Sequence, residues 1–282
     1  MKRIKILHRT YYNFSEPVQL GPHVLRLRPR EGHKLHIESS NLSITPASSL
    51  FWQSDVEDNS VAVAHFSAPT SQLAIESEVI VQQFNENPFD FLVSDYAINY
   101  PFNYNSNDWR LLDPYAELPL DPDGSLANWT SSLWTPGRSV ETIPLLLQVG
   151  QQIQSSFQYF VREEPGVQSP SETLSLGTGS CRDFANLFLA TVRKLGLAAR
   201  FVSGYLVTGP SDFDYGATHA WAEVYVPGAG WKGFDPTVGI MTGADHIPVA
   251  VGRLPEELPP IEGTYSGFAD SNMDVGVWLT PL

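Results

Sequence analysis

Cysteine is almost missing: Cys181 stands alone among 282 residues. No disulfide can form within the chain, which excludes a disulfide-stapled secreted scaffold and fits a reducing compartment. Positive charge is scarce as well, with 17 Lys and Arg against 31 Asp and Glu and a formal net charge of −14. Phosphate binding needs clustered Lys and Arg, so neither nucleic acid nor an anionic membrane is expected as a partner. No run of residues comes near the ~18 consecutive apolar positions of a membrane span. The segment from Met1 to Arg9 starts basic but builds no signal-peptide core, because His8, Arg9 and Asn13 interrupt it. These absences together predict a cytoplasmic protein. There is also no Cys-x-x-Cys pair, no phosphate-cradling glycine loop, no dinucleotide fingerprint and no Asp/Asn-rich calcium loop. No cofactor and no metal are therefore expected. The pair His33 and His36 lacks the Glu and the helix of a zinc protease and reads as surface.

What remains is ample material for a core, with 42% hydrophobic and 12% aromatic residues. The first hundred residues are β-rich. Period-two or β-branched stretches at 4–12, 24–28, 35–44, 61–66 and 73–84 are separated by polar or Pro/Gly breaks, a spacing that predicts a β-sandwich over 1–105. Turn-forming dipeptides then crowd a connector at 106–139, which Trp109, Trp129 and Trp134 are expected to order by packing. A third region, 140–282, opens with a helical pattern at 140–160, carrying Ile143, Leu146, Leu147, Ile153 and Phe157 on one face. A second helix is predicted at 181–195, its stripe running through Phe184, Leu187, Phe188, Val192 and Leu195 and its end marked by Gly196. Strands are predicted at 199–208, 218–226 and 231–236, and a last one at 275–279.

Cys181 gains interest from its place. Ser180 is a good N-cap and Asp183 follows three residues on, so the thiol heads a helix. There, free N–H groups and the positive end of the dipole stabilise a thiolate and can receive an oxyanion. His219 opens the strand His219–Val226, whose Ala220, Ala222, Val224 and Val226 share a small apolar face. Asp235 ends the next strand. A four-residue loop, with Val226 opposite Trp231, would turn Asp235 away from His219. A five-residue loop, with Tyr225 opposite Trp231, puts Asp235 opposite Trp221 and one diagonal from His219, ~7–8 Å between backbones. The five-residue loop is the prediction. Thiol, imidazole and carboxylate would then act as nucleophile, base and orienting group.

Four stretches carry a family likeness: Gly179-Ser180-Cys181-Arg182-Asp183-Phe184-Ala185, Gly196 to Tyr205, Thr218-His219-Ala220-Trp221-Ala222-Glu223-Val224-Tyr225, and Gly230 to Thr237. In this order they resemble the bacterial transglutaminase-like superfamily, and the β-rich first third looks like the N-terminal domain that accompanies that core. The resemblance implies an α+β fold: an antiparallel β-sandwich followed by a cysteine-protease-type core, with the nucleophile helix packed on an antiparallel sheet. It also implies Cys181, His219 and Asp235 as catalytic residues and a peptide or protein substrate, met by hydrolysis or by amine transfer. A second possibility is a binding or scaffold module that keeps the fold without turnover, which predicts a buried or blocked Cys181. A third gives partner binding to the N-terminal domain. Around the site, Trp221 is a candidate cleft wall, Arg182 and Glu223 a candidate ion pair, and Tyr159 and Trp134 candidate second oxyanion donors.

Overall fold

Alternate burial of Ile4, Ile6, His8 and Thr10 begins a single strand that runs on to residue 25, where two separate strands are predicted from sequence. The computed structural model describes residues 1–84, 87–162, 164–207 and 218–282; position 208 of the strand predicted at 199–208 lies outside them. In the first part, β1 (Lys2–Leu25), β2 (Leu35–Thr45), β3 (Ser48–Ser54), β4 (Ser60–Phe66) and β5 (Thr70–Gln83) pair antiparallel in the order β2-β5-β1-β4-β3. The early half of β1 pairs with β5, and its register breaks between Asn13 and Val18. Its far end, His23 to Leu25, pairs with β4. One long strand thus serves both halves of the sheet, which close on Phe14, Val18, Leu20, Leu25, Ala62, Leu73 and Ile75. Sequence reasoning missed β3, an edge strand whose Phe51 and Trp52 are exposed.

The connector holds more structure than its turn dipeptides suggest. β6 (Asn99–Tyr100) pairs with β7 (Val140–Glu141) around two helices, α1 (Ser106–Leu112) and α2 (Ser125–Leu133). Trp129 donates its indole N–H to Thr191 Oγ1 at 3.1 Å, Trp134 meets Tyr100 edge-on, and Trp109 stacks on Tyr104. The predicted ordering role of these tryptophans is what they do.

Next come α3 (Thr142–Ser156), β8 (Gln158–Tyr159), α4 (Pro170–Leu176), β9 (Thr178–Gly179) and α5 (Cys181–Lys194). Five strands complete the second sheet: β10 (Ala199–Leu206), β11 (Thr218–Val226), β12 (Gly230–Asp235), β13 (Ile240–Met241) and β14 (His246–Gly252), ordered β13-β12-β11-β10-β14. The buried stripe of α5, with Phe184, Leu187 and Phe188, packs on Ala220, Ala222, Val224 and Val226 of β11. Gly196, at φ +81°, ends the helix where a residue with a Cβ would be strained.

The tail corrects the sequence-based division. Residues placed with the third region leave its sheet: β15 (Ile261–Ser266) and β16 (Ser271–Pro281) both pair antiparallel with β1. The strand expected at 275–279 belongs to the first sheet, because β1 still has open backbone edges for it to satisfy. The reverse face of the second sheet is covered in turn. Tyr205, Ile247 and Val249 share one core with Ile4, Ile6, Leu35, Ile37, Val79, Val81 and Val277. Asn59 exchanges two hydrogen bonds with the backbone of Val251, at 2.7 and 2.8 Å. At about 1.5–3 kcal/mol for each fully buried aliphatic side chain, such a cluster fixes the two sheets against each other.

Candidate active site

The nucleophile's position follows from local chemistry at the start of α5. Gly179 leaves room for a tight approach, since a Cβ there would lie 3.0 Å from Asp183 Cβ and 3.1 Å from the Phe184 ring. Asp183 reaches back to accept from the Ser180 N–H at 2.8 Å and the Ser180 hydroxyl at 2.7 Å. The same buried carboxylate accepts from Arg162 Nη1 and the Gln168 N–H, both at 2.8 Å. Burial opposes its charge, but these donors outweigh burial and hold it below the usual carboxylate range. Helix start and the incoming 162–168 segment are thereby tied to one group. Cys181 follows, half-buried, on the wall of a cleft.

His219 faces the same cleft from the start of β11. The β11–β12 register has Tyr225 opposite Trp231, as predicted. Val226 also pairs with Gly230, so the turn proper is three residues, with Gly228 at φ +84°. This register brings His219 Nε2 to 2.7 Å from Asp235 Oδ2, leaving the ring's other nitrogen for the thiol. Burial lowers the His219 pKa, yet hydrogen bonding and charge from Asp235 and Cys181 overcome it and lift the value to about 10. Burial alone would raise Asp235; the two imidazoles bonded to it drive it far below the usual range instead.

The second imidazole is His246, which sequence reasoning missed. It heads β14, is buried, and places Nε2 3.0 Å from Asp235 Oδ2. Its Nδ1 accepts the Gly243 N–H at 3.3 Å, so Nε2 carries the proton and donates to the carboxylate. The Thr237 N–H completes the set on Oδ1 at 2.8 Å. A histidine at the head of the apolar run His246–Gly252 is the available signal, and the Pro/Gly-rich composition of the tail that follows hides it. Ligand atoms of His219, Asp235 and His246 lie within 4.8 Å of one another, a set that can hold a metal ion. Spacing along the chain gives no hint of this second nearby histidine. The separations are also those of N–H···O hydrogen bonds, and each donor and acceptor is satisfied that way.

Other candidates separate. Tyr159, paired through β8 to Gly179, lines the cleft, and burial followed by Cys181 pushes its hydroxyl up to about 12, so it stays a proton donor. Trp134 spends its N–H on the Arg138 carbonyl, away from the cleft. Trp221 is no cleft wall: it is buried behind His219 with Val202 and Val251. Arg182 and Glu223 do not pair. Arg182 donates to the carbonyls of Arg162 and Glu164, while Glu223 binds Arg200 at 2.8 Å on the other face of the sheet. His36 is exposed and pairs with Glu31 at 2.6 Å, and His33 is exposed. The cleft has a volume of ≈ 410 Å³, and Val161, Phe201, Leu258, Pro259 and Pro260 give it mainly apolar walls.

A thiol at a helix tip, and a histidine and carboxylate on the facing antiparallel strands, define a transglutaminase-like core. The comparisons agree: residues 143–236 match the transglutaminase-like superfamily, and residues 4–82 match the bacterial transglutaminase-like N-terminal region. The chain is 29% identical to an uncharacterized protein of Mycobacterium tuberculosis, across 99% of this chain and 93% of that one. It is 26% identical to an uncharacterized protein of Mycobacterium leprae over the full length of both. Among solved structures, one from Cytophaga hutchinsonii named a "putative cysteine protease" shares the fold with a TM-score of 0.75 at 18% identity, over 100% of this chain and 91% of that one. Among the described residues, no helix is long and apolar enough to cross a membrane.

Proposed function

We propose that the protein is a cysteine-dependent acyl-transfer enzyme that acts on amide bonds of peptides or proteins. The observation that carries this reading is the shared cleft: Cys181 at the tip of α5 and His219, bonded to Asp235 at 2.7 Å, line the same space. His219 takes the thiol proton. The sulfur attacks the amide carbonyl, forming a C–S bond as the carbonyl π pair moves onto oxygen. That oxyanion meets the backbone N–H groups of the first turn of α5, with the Tyr159 hydroxyl as second donor. Collapse breaks the C–N bond, and the imidazolium gives its proton to the leaving amine. The thioester then passes its acyl group to water or to an amine, whose proton returns to His219. Asp235 keeps the ring oriented and its charge balanced throughout.

Peptide or protein amides suit the cleft, whose apolar walls can hold a side chain beside the reacting carbonyl. A cytoplasmic address goes with this reading, since the lone thiol works reduced; recovery of the protein from the periplasm on fractionation would remove that part. The test is incubation with a peptide library, with and without a labelled primary amine, read by mass for cleavage, deamidation and amine incorporation. Activity in at least one channel that Cys181→Ala abolishes is expected. Wild type matching Cys181→Ala in all three overturns the assignment. The scaffold alternative predicts no alkylation of native Cys181 by iodoacetamide at neutral pH.

A further inference from the structure

The sheet that carries His219 has a second cavity on its reverse side. Residues of the N-terminal sheet region, Arg30, Lys34 and Gln83, face Trp221, Lys232 and His246 across ≈ 660 Å³, a larger space than the catalytic cleft. Some of its charges are already satisfied. Arg200 and Glu223 neutralise each other, and Arg30 donates to Asn59 Oδ1 at 2.6 Å and to the Glu57 carbonyl at 2.9 Å.

Three polar groups on the walls are not. Lys232 is 7% exposed. Its ammonium sits 4.3 Å from the centre of the Phe91 ring and, among the described residues, forms no ion pair with a carboxylate. Lys34 approaches it closely enough to repel it; burial first and this repulsion next bring the Lys232 pKa down to about 8. Trp221 Nε1 and Gln83 Oε1 are both buried without a hydrogen-bond partner. A buried cation that no carboxylate contacts, with Glu223 and Asp90 acting on it only from a distance, is costly, and so are buried donors and acceptors left unpaired. Three such groups around one cavity mark a place where a ligand supplies what the protein lacks. Two ammonium groups and an indole N–H call for an anionic acceptor, and Gln83 Oε1 calls for a donor.

We propose that this cavity binds a small carboxylate that carries a hydroxyl or amino group of its own. The carboxylate lies between Lys232 and Lys34, and the ligand's donor reaches Gln83 Oε1. The proposal does not depend on the acyl-transfer reading being right.

Isothermal titration calorimetry of the whole chain with malate, glutamate and inorganic phosphate tests it. Saturable one-site binding of malate or glutamate is expected, unchanged in Cys181→Ala and weakened about tenfold or more in Lys232→Met, as loss of a charge-assisted bond implies. Phosphate binding without carboxylate binding overturns the assignment, as does absence of saturable heat from all three at millimolar concentration. Unchanged affinity in Lys232→Met overturns it too. Thermal unfolding of ligand-free protein keeps the variant informative. Lys232→Met removes an unpaired buried charge, so its Tm should equal or exceed that of the wild type. A fall of several degrees would make the ammonium a structural pin on Phe91 and sink the proposal.

Discussion

Replacing Asp235 by Asn tests the electrostatics of the site most directly. In the wild type His219 titrates at about 10, although it is buried. The molecule contains its own reference for a buried histidine without a carboxylate. His8 is 1% exposed, its ring bonded to the Tyr205 hydroxyl and to Thr10 Oγ1, and burial brings its pKa down to about 4. In Asp235→Asn the amide would keep the shape of the carboxylate but remove its charge, and only the amide carbonyl could accept from either imidazole. His219 should then titrate well below about 10, and since Cys181 still raises it the fall should be smaller than the roughly 6 pH units that separate it from His8, or less than roughly 8 kcal/mol of lost preference for the imidazolium. The assay is an NMR titration of ¹³C-labelled histidine rings, accompanied by the rate of Cys181 alkylation at pH 7. At that pH the wild-type imidazolium sets a positive charge beside the sulfur, and a ring that has lost part of that charge activates the thiol less, so alkylation should slow. A His219 that titrates as high in Asp235→Asn as in the wild type would refute the reasoning.

The same pair sets a pH window for stability. His219 has a raised pKa in the folded state, so its contribution is complete below its unfolded value near 6.5 and fades as pH rises through about 10. Asp235 has a lowered pKa, so its share is complete above the ordinary carboxylate range and fades as pH falls. Both describe one interaction, counted once. The stability difference between wild type and Asp235→Asn should therefore be greatest from about pH 4 to 6.5 and shrink on either side.

Two further substitutions probe the supports of the triad. His246→Leu takes one of two N–H donors from Asp235 Oδ2, and we expect kcat/KM to fall about 10- to 100-fold with a displaced pH profile, while His246→Gln, which can still donate, recovers most of it. A pH profile unchanged in His246→Leu would reduce that residue to packing. Asp183→Asn would turn an amide N–H₂ toward a site where Arg162, Gln168 and Ser180 all present donors. Denaturant unfolding should show a loss of about 3–5 kcal/mol, and a loss below about 1 kcal/mol would contradict the role of Asp183 as the tie at the start of α5.

The site was legible because its parts sit at places the backbone marks. A cap residue announces the head of α5, and a paired hairpin fixes register, so arithmetic on Tyr225 and Trp231 placed Asp235 on the correct face. His246 was not legible, since it arrives from a strand that crosses to the far side of β10, and no local period links it to Asp235. The tail failed for the same reason. β16 pairs with β1 across the whole length of the chain, and strand pairing at that separation leaves no mark on either segment alone. The helices α1 and α2 were hidden by Asp-Pro and Pro-Asp turns that cap and space them, where composition suggests loop.

The two sequence regions need each other for a physical reason. With α5 on one face, the second sheet still presents Tyr205, Ile247 and Val249 on the other, and a sheet that is apolar on both faces must be covered twice. The N-terminal sheet supplies that cover, using the aliphatic face of β1, β2 and β5. It fits closely along β10 and β14 but stands off where Trp221 and His246 meet Lys232, so a large cavity opens directly behind the carboxylate that orients His219. The N-terminal region thus helps to hold the candidate site, because the strand that delivers His246 to Asp235 is held from behind by Gln83, which donates to the His246 carbonyl at 3.1 Å.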